Sequence, residues 1–243
     1  MSLLEAENIS KAFGGIHALN DCSISVEPGS ITGLIGPNGS GKTTMFNVMT
    51  GYERVDSGQV RFRERAITNA SPDKVFRMGV GRTFQMTRIF RRLTVMENMH
   101  VAAQRNDFVG LISRWSSTHE QSRAEELLNF VGLTSVKNLP AGSLSFGQKK
   151  LLEFAFVLIA DPKVILLDEP AGGVNPTMVN YLADRIRTLN ERGVTFLVVE
   201  HNMEFVMNLC HKVIVMHRGT KIAEGTPAEV RENPLVLEAY LGD

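Results

Sequence analysis

The chain of 243 residues carries 26 lysines and arginines against 26 aspartates and glutamates, with 43% apolar and 21% charged residues. That balance supports a folded core and excludes a mainly disordered chain. With a formal net charge of zero there is no global field toward nucleic acid or acidic lipid, so any polyanion site must be local.

Taken from its start, Met1-Ser-Leu-Leu-Glu-Ala-Glu-Asn8 places acids where a signal peptide has a basic start, so export is not expected. Apolar runs such as Val164 to Leu167 are strand-length, far below the ~20 residues a membrane helix needs. Cys22 and Cys210 are too far apart for a C-x-x-C site, and we expect both as core thiols in a reducing compartment. The apolar run Ile31 to Ile35 reads as a strand buried on both faces. It leads into Gly36-Pro-Asn-Gly-Ser-Gly-Lys-Thr43, which matches G-x-x-x-x-G-K-[ST], and a helical stretch follows as far as Thr50-Gly51. Strand, loop and helix together identify a phosphate-binding P-loop. Its glycines let backbone N–H groups approach phosphate oxygens, and the new helix adds its positive end. Lys42 is placed to reach the β- and γ-phosphates, and the Thr43 hydroxyl to ligate Mg²⁺, which prefers oxygen donors.

Between Arg61 and Arg92 nine basic residues face two acids, Glu64 and Asp73, a run that ordinarily makes a solvated face. Residues 86–160 change character. Ala124, Leu127, Leu128 and Val131 recur at helical spacing before Gly132, as do Leu151, Leu152, Ala155, Phe156 and Ile159, predicting a helical lobe inserted into an α/β core. Val164 to Leu167 then reads as a second buried strand, and Asp168-Glu169 puts two carboxylates at the sheet edge where α/β folds bind ligands. Asp168 suits Mg²⁺ and Glu169 suits a general base, although an Asp-Glu-Pro triplet also fits a solvated turn with a helix-capping acid. Asn175-Pro176 predicts a helix start and Gly193 its stop. Val194 to Val199 and Val213 to Met216 read as further buried strands, and Thr226-Pro227 and Asn233-Pro234 open two short terminal helices.

These motifs stand in the order found in ATP-binding-cassette (ABC) transporter subunits: Gly36 to Thr43, Gln85, Leu144-Ser-Phe-Gly-Gln148, Ile165-Leu-Leu-Asp-Glu-Pro170 and His201. The chain resembles that family along nearly its whole length. Leu144 to Gln148 is similar to the family's L-S-G-G-Q signature; outside this context the same residues would be an ordinary helix cap. The resemblance implies a P-loop NTPase (RecA-like) α/β core, 1–85 and 161–225, with a small antiparallel β subdomain. It also implies a helical signature subdomain, 86–160, and a helical tail, 226–243.

By the same resemblance, ATP and Mg²⁺ are held by Gly36, Pro37, Asn38, Gly39, Ser40, Gly41, Lys42, Thr43 and Thr44, with Phe13 stacking on adenine and Ala18 lining the base. A buried core phenylalanine is the competing reading of Phe13. Gln85 touches Mg²⁺ or the attacking water, Asp168 joins the metal set, Glu169 activates water, and His201 contacts the γ-phosphate. Ser145, Gly147 and Gln148 form a second anion site that meets the γ-phosphate of a partner subunit, so two chains, alike or related, would sandwich two ATP molecules. His17, His100, His119, His211 and His217 match no motif and are expected in surface or packing roles.

Phe146 in place of a glycine, Asn175 in place of the usual aspartate and Phe13 in place of the commoner tyrosine depart from the family without removing a catalytic group. Ala171-Gly-Gly-Val-Asn-Pro176, Val199-Glu-His-Asn-Met203 and Glu238-Ala-Tyr-Leu-Gly-Asp243 resemble the branched-chain amino-acid importer branch. Urea, amide and lipopolysaccharide-export relatives are the alternatives, with a soluble non-transport ATPase behind them. The implied partners are transmembrane permease subunits, indirectly an extracytoplasmic solute-binding protein, and no nucleic acid. The implied place is the inner face of the cell membrane. Met86 to Leu93 is the segment expected to border the permease.

Overall fold

Side chains that alternate between the two faces of one buried sheet organise the molecule into layers. The computed structural model describes residues 2–84, 89–103 and 118–241. Strands β1 (Leu4–Phe13) and β2 (Ile16–Val26) turn through Gly14 and Gly15, both at positive φ, and pair antiparallel. After β3 (Ile31–Ile35) and helix α1 (Lys42–Met49), β4 (Ser57–Phe62) and β5 (Arg65–Ala66) complete a four-stranded antiparallel sheet of order β2-β1-β4-β5.

The chain then runs through α2 (Pro72–Arg77), β6 (Val80–Arg82), α3 (Val95–Ala103), α4 (Thr118–Phe130) and α5 (Phe146–Leu158). Beyond these come β7 (Val164–Asp168), α6 (Pro176–Glu191), β8 (Thr195–Val199), α7 (Met203–Leu209), β9 (Lys212–His217), β10 (Thr220–Gly225), α8 (Pro227–Glu232) and α9 (Pro234–Leu241). The second sheet has the order β10-β9-β3-β8-β7-β6; all its pairs are parallel except the β9–β10 hairpin. Parallel pairing demands crossovers, and the crossover helices cover the sheet.

The alternation is visible residue by residue. Ile165, Leu167, Phe196, Val198, Val213 and Val215 face the helical layer with Leu128, Leu152 and Ile186. Val164, Leu166, Leu197, Val199, Ile214 and Met216 face the other way, onto Phe46 and Met49 of α1 and onto Leu4, Ile9 and Phe62 of the antiparallel sheet. Caps stand where the residue types predict them. The Asn175 side chain accepts from Met178 N–H at 2.9 Å, Gly193 follows α6 at φ 90°, and Thr226 with Glu229 makes a capping box on α8.

One residue of the apolar stripes behaves differently from the expectation. Leu151, Leu152 and Ala155 enter the core, but Phe156 is only half-buried and lines a surface cleft. Cys22 and Cys210 are buried free thiols, and burial pushes them up to about 11 and about 12 respectively. Among the described residues no helix is long and apolar enough to cross a membrane.

Candidate nucleotide site

The fully buried strand β3 ends at a loop that only glycine can trace. Gly36, Gly39 and Gly41 have φ values of 147°, 77° and 101°. A Cβ at Gly36 would lie 2.0 Å from the carbonyl oxygen of Met216, and one at Gly41 would lie 2.5 Å from that of Ala18. Those two glycines are therefore clamped by β9 and β2. Nothing stands within 4 Å of a Cβ at Gly39, which leaves that backbone open to an incoming group. The loop is further tied by Gly219 N–H donating to the Ser40 carbonyl at 3.0 Å.

Helix α1 starts at Gly41 with no side-chain cap, so its first N–H groups remain available to an anion. Lys42 folds over the loop, its Nζ donating to the carbonyls of Gly36 and Pro37, both at 2.8 Å, and to Ser40 Oγ at 3.3 Å. Burial lowers its amine below the usual value, opposed by the charges of Glu169 and Asp168, so both carboxylates lie within electrostatic reach. Thr43, Asn38 and Gly39 are exposed, while Pro37 and Thr44 are half-buried.

The carboxyl end of β7 supplies the acids. Asp168 is buried and its Oδ2 accepts from Arg82 Nη2 at 3.1 Å, while its N–H donates to Thr83 Oγ1 at 3.3 Å. Glu169 follows the strand at φ 48°, a left-handed backbone conformation, and its carboxylate meets a different partner from that of Asp168. Its Oε1 lies 2.8 Å from His201 Nε2, and the two side chains are 23% and 45% exposed, so the pair is reachable by water and substrate. Lys150 Nζ donates to the Glu169 carbonyl at 2.6 Å, which fixes the turn from α5. Buried Glu200 accepts from the N–H groups of His201 at 3.0 Å and Asn202 at 3.2 Å and so holds the loop after β8.

Phe13 is 46% exposed at the end of β1 with Lys11 Nζ 5.1 Å from its ring centroid, which removes the core reading of this ring. Ala18 is half-buried and its carbonyl backs Gly41. Gln85 lies outside the described residues, as do Met86 to Arg88 of the segment expected to border the permease.

Ser145, Gly147 and Gln148 open α5, and they close on themselves. Ser145 Oγ accepts from Gln148 N–H at 3.2 Å, and Gln148 Oε1 accepts from Ser145 N–H at 2.9 Å. Phe146 is 47% exposed above Lys150, at 5.5 Å from its Nζ. Among the described residues no hydrogen bond or ion pair joins this turn to Gly36 to Thr43.

A cleft of about 440 Å³ opens beside the site, between α1, α2, β6 and α5. Tyr52, Phe76, Arg82, Phe84 and Phe156 line it, with Pro72 and Asp73 at α2. Of these, Tyr52, Phe76 and Phe84 carry no sequence motif, and Phe156 is indistinguishable from its core neighbours by spacing alone. Phe90 is 50% exposed, and its backbone is stapled by buried Asn98, whose Oδ1 accepts from Phe90 N–H at 2.8 Å.

Two family models match the chain. One described as "ABC transporter" covers residues 19–172, and one described as "Branched-chain amino acid ATP-binding cassette transporter" covers residues 220–243. The chain is 40% identical to a "Probable branched-chain amino acid transport ATP-binding protein LivG" of Archaeoglobus fulgidus, over 100% of this chain and 96% of that protein. It is 38% identical to the "High-affinity branched-chain amino acid transport ATP-binding protein LivG" of Salmonella typhimurium, over 99% and 98%. A crystal structure of the ADP conformation of an ATP-binding cassette of an ABC transporter superposes with a TM-score of 0.89 at 37% identity, covering 100% of both chains.

Proposed function

This chain belongs to the ABC transporter family of ATP-binding cassettes, and on that premise we propose that it energises the import of branched-chain amino acids through membrane permease subunits. Its chemistry is hydrolysis of ATP to ADP and phosphate. The observation that carries the hydrolytic reading is the Glu169–His201 pair, 2.8 Å apart at the sheet edge that also ends in Asp168 and the glycine loop. The C-terminal match at 220–243 and the full-length relatives support the solute class.

In this reading the backbone amides from Gly36 to Thr44 and the open start of α1 receive the phosphates, and Lys42 exchanges its loop carbonyls for phosphate oxygens. Phe13 offers a ring face to adenine, beside Ala18. The donors that could hold Mg²⁺ are the Thr43 hydroxyl, Asp168 and Gln85, all hard oxygen ligands. Among the described residues no three His, Cys, Asp or Glu side chains gather into a metal cage, which fits an ion that completes its shell with phosphate oxygens and water. When bound, Mg²⁺ neutralises charge on the β- and γ-phosphate oxygens. Glu169 takes the proton of the attacking water, and His201 orients that carboxylate and then contacts the γ-phosphate.

Ser145, Gly147 and Gln148 serve the site of a second cassette, which explains why one chain holds the two anion sites apart. The apolar cleft of Tyr52, Phe76, Phe84 and Phe156, together with exposed Phe90 and Arg91, receives the permease on the cytoplasmic face of the membrane. Phe90→Ala or Arg91→Glu is expected to weaken complex assembly and uptake; unchanged transport would overturn that docking surface. The solute class is tested by purifying the chain with its permease subunits and measuring uptake of labelled leucine, isoleucine and valine against labelled urea. Uptake of urea with none of the three amino acids would overturn it.

A further inference from the structure

Arg82 is a buried cation that no step of hydrolysis uses. Its side chain is 7% exposed at the end of β6, beside an Asp168 side chain that is 8% exposed. One arm of its fork, Nη2, donates to Asp168 Oδ2 at 3.1 Å. The other, Nη1, donates to Asn47 Oδ1 at 2.8 Å and Thr50 Oγ1 at 3.0 Å. Asn47 lies in the last turn of α1 and Thr50 caps that helix, whose first turn carries Lys42 and Thr43. One planar group therefore braces the helix that presents Thr43 against the strand end that presents Asp168.

The guanidinium also lies over three rings, with centroids at 5.7 Å for Phe46, 5.5 Å for Tyr52 and 5.1 Å for Phe84. Tyr52, Phe84 and Arg82 itself line the surface cleft. A buried ion pair contributes little net stability against an apolar replacement, so its geometry is the better guide to its use. A lysine in its place keeps the charge but cannot span the same acceptors as a fork.

We propose that Arg82 is a positioning residue that sets the register between Asp168 and Thr43 for one magnesium ion, and that its stacked rings make this register respond to what fills the cleft. This rests on the reading of Asp168 and Thr43 as metal ligands. Groups that orient a metal ligand change affinity by about 10–100-fold when removed. The opposite sign is also physically available, because a cation next to a metal site repels the metal.

The experiment uses the full chain with ADP and Mn²⁺ in place of Mg²⁺. Metal affinity is read from the electron paramagnetic resonance signal of free Mn²⁺, ADP affinity is measured separately without metal, and melting temperature is recorded. Arg82→Gln and Arg82→Lys are both expected to weaken Mn²⁺ binding about tenfold or more while metal-free ADP affinity holds. Wild-type Mn²⁺ affinity in Arg82→Lys would show that charge alone matters, and tighter binding in Arg82→Gln would show repulsion; either overturns the proposal. Should Arg82 variants fail to fold, Asn47→Ala removes one acceptor of the fork and is expected to weaken Mn²⁺ about fivefold, the scale of one hydrogen bond. Tyr52→Ala, which removes one ring of the stack, is expected to shift Mn²⁺ affinity about threefold, and no shift would sever the link to the cleft. Asp168→Asn separates the two levels: unchanged Mn²⁺ binding there sinks the metal reading itself, whereas weak binding there with normal binding in Arg82→Gln sinks Arg82 alone.

Discussion

Two helix starts in this molecule carry anion-binding sequences, and they are finished in opposite ways. Helix α1 begins at an uncapped glycine with its N–H groups open, on a loop clamped so closely that Gly36 and Gly41 have no room for a Cβ. Helix α5 begins at Ser145 with a complete capping box, so the Ser145 hydroxyl and the N–H groups of Ser145 and Gln148 are already engaged from within. The first is a site before anything arrives. At the second, the Ser145 hydroxyl and the Gln148 N–H must give up their mutual hydrogen bond before either can meet a phosphate. The contrast teaches that similar helix-start sequences can leave one terminus open to an anion and the other closed by its own side chains.

The largest effect that bears on this contrast belongs to Glu169→Gln. Phosphate release by the assembled transporter is expected to fall by about 10²–10⁴-fold, the range of general-base catalysis. ATP binding persists, and the cassettes should be held together as a dimer on gel filtration. Normal turnover would remove Glu169 from the base role. Next, Gly36→Ala is expected to destabilise the chain by about 3 kcal/mol or more in urea titration, because strain at positive φ adds to the clash with the Met216 carbonyl. At Gly147 the nearest atoms to a Cβ all belong to the Met178 side chain, Cε and Cγ both at 3.2 Å, with no backbone atom among them. Gly147→Ala should therefore leave stability within about 1 kcal/mol and ATP binding by the single chain intact. Equal damage at the two glycines would erase the distinction between the helix starts.

Ser145→Ala is expected to cost about 1 kcal/mol of stability through the lost cap, and to lower ATPase activity in the dimer more than ATP affinity in the monomer. The smallest effect concerns pH. Lys42 titrates below its ordinary 10.5 because burial disfavours the charged amine. In the window between that lowered value and 10.5 the unfolded chain holds more protons than the folded one, so folding stability rises with pH there. Wild type should gain stability relative to Lys42→Met as alkaline pH rises through this window without nucleotide, and the gain should shrink when ATP phosphates favour the charged amine. A gain with the reverse sign in thermal melts would contradict the burial of Lys42.

Local signals in the sequence were legible wherever one residue type answers one backbone demand. Glycines at 36, 39 and 41, the Asn175-Pro176 and Thr226-Pro227 starts, and the buried runs at 31–35 and 164–167 each impose their conformation through a few neighbouring atoms. Asp168 and Glu169 could be read as acids at a sheet edge with separate roles, but their partners, Arg82 and His201, come from distant parts of the chain.

The partners of those residues belonged to the tertiary structure. Arg82 looked like one of nine basic residues in a solvated run, and it is instead buried between α1 and Asp168. Phe156 shared the spacing of core residues and instead faces a cleft. Phe13 had a core ring as its competing reading, and it stands exposed at a strand end. The amino-acid sequence by itself determined the phosphate loop, the alternating strands and the helix caps, because each depends on short-range sterics and hydrogen bonding. Which carboxylate meets which cation, and which ring meets solvent, was decided only when β6, β7 and α5 came together from distant parts of the chain, because electrostatics and burial depend on distance in space.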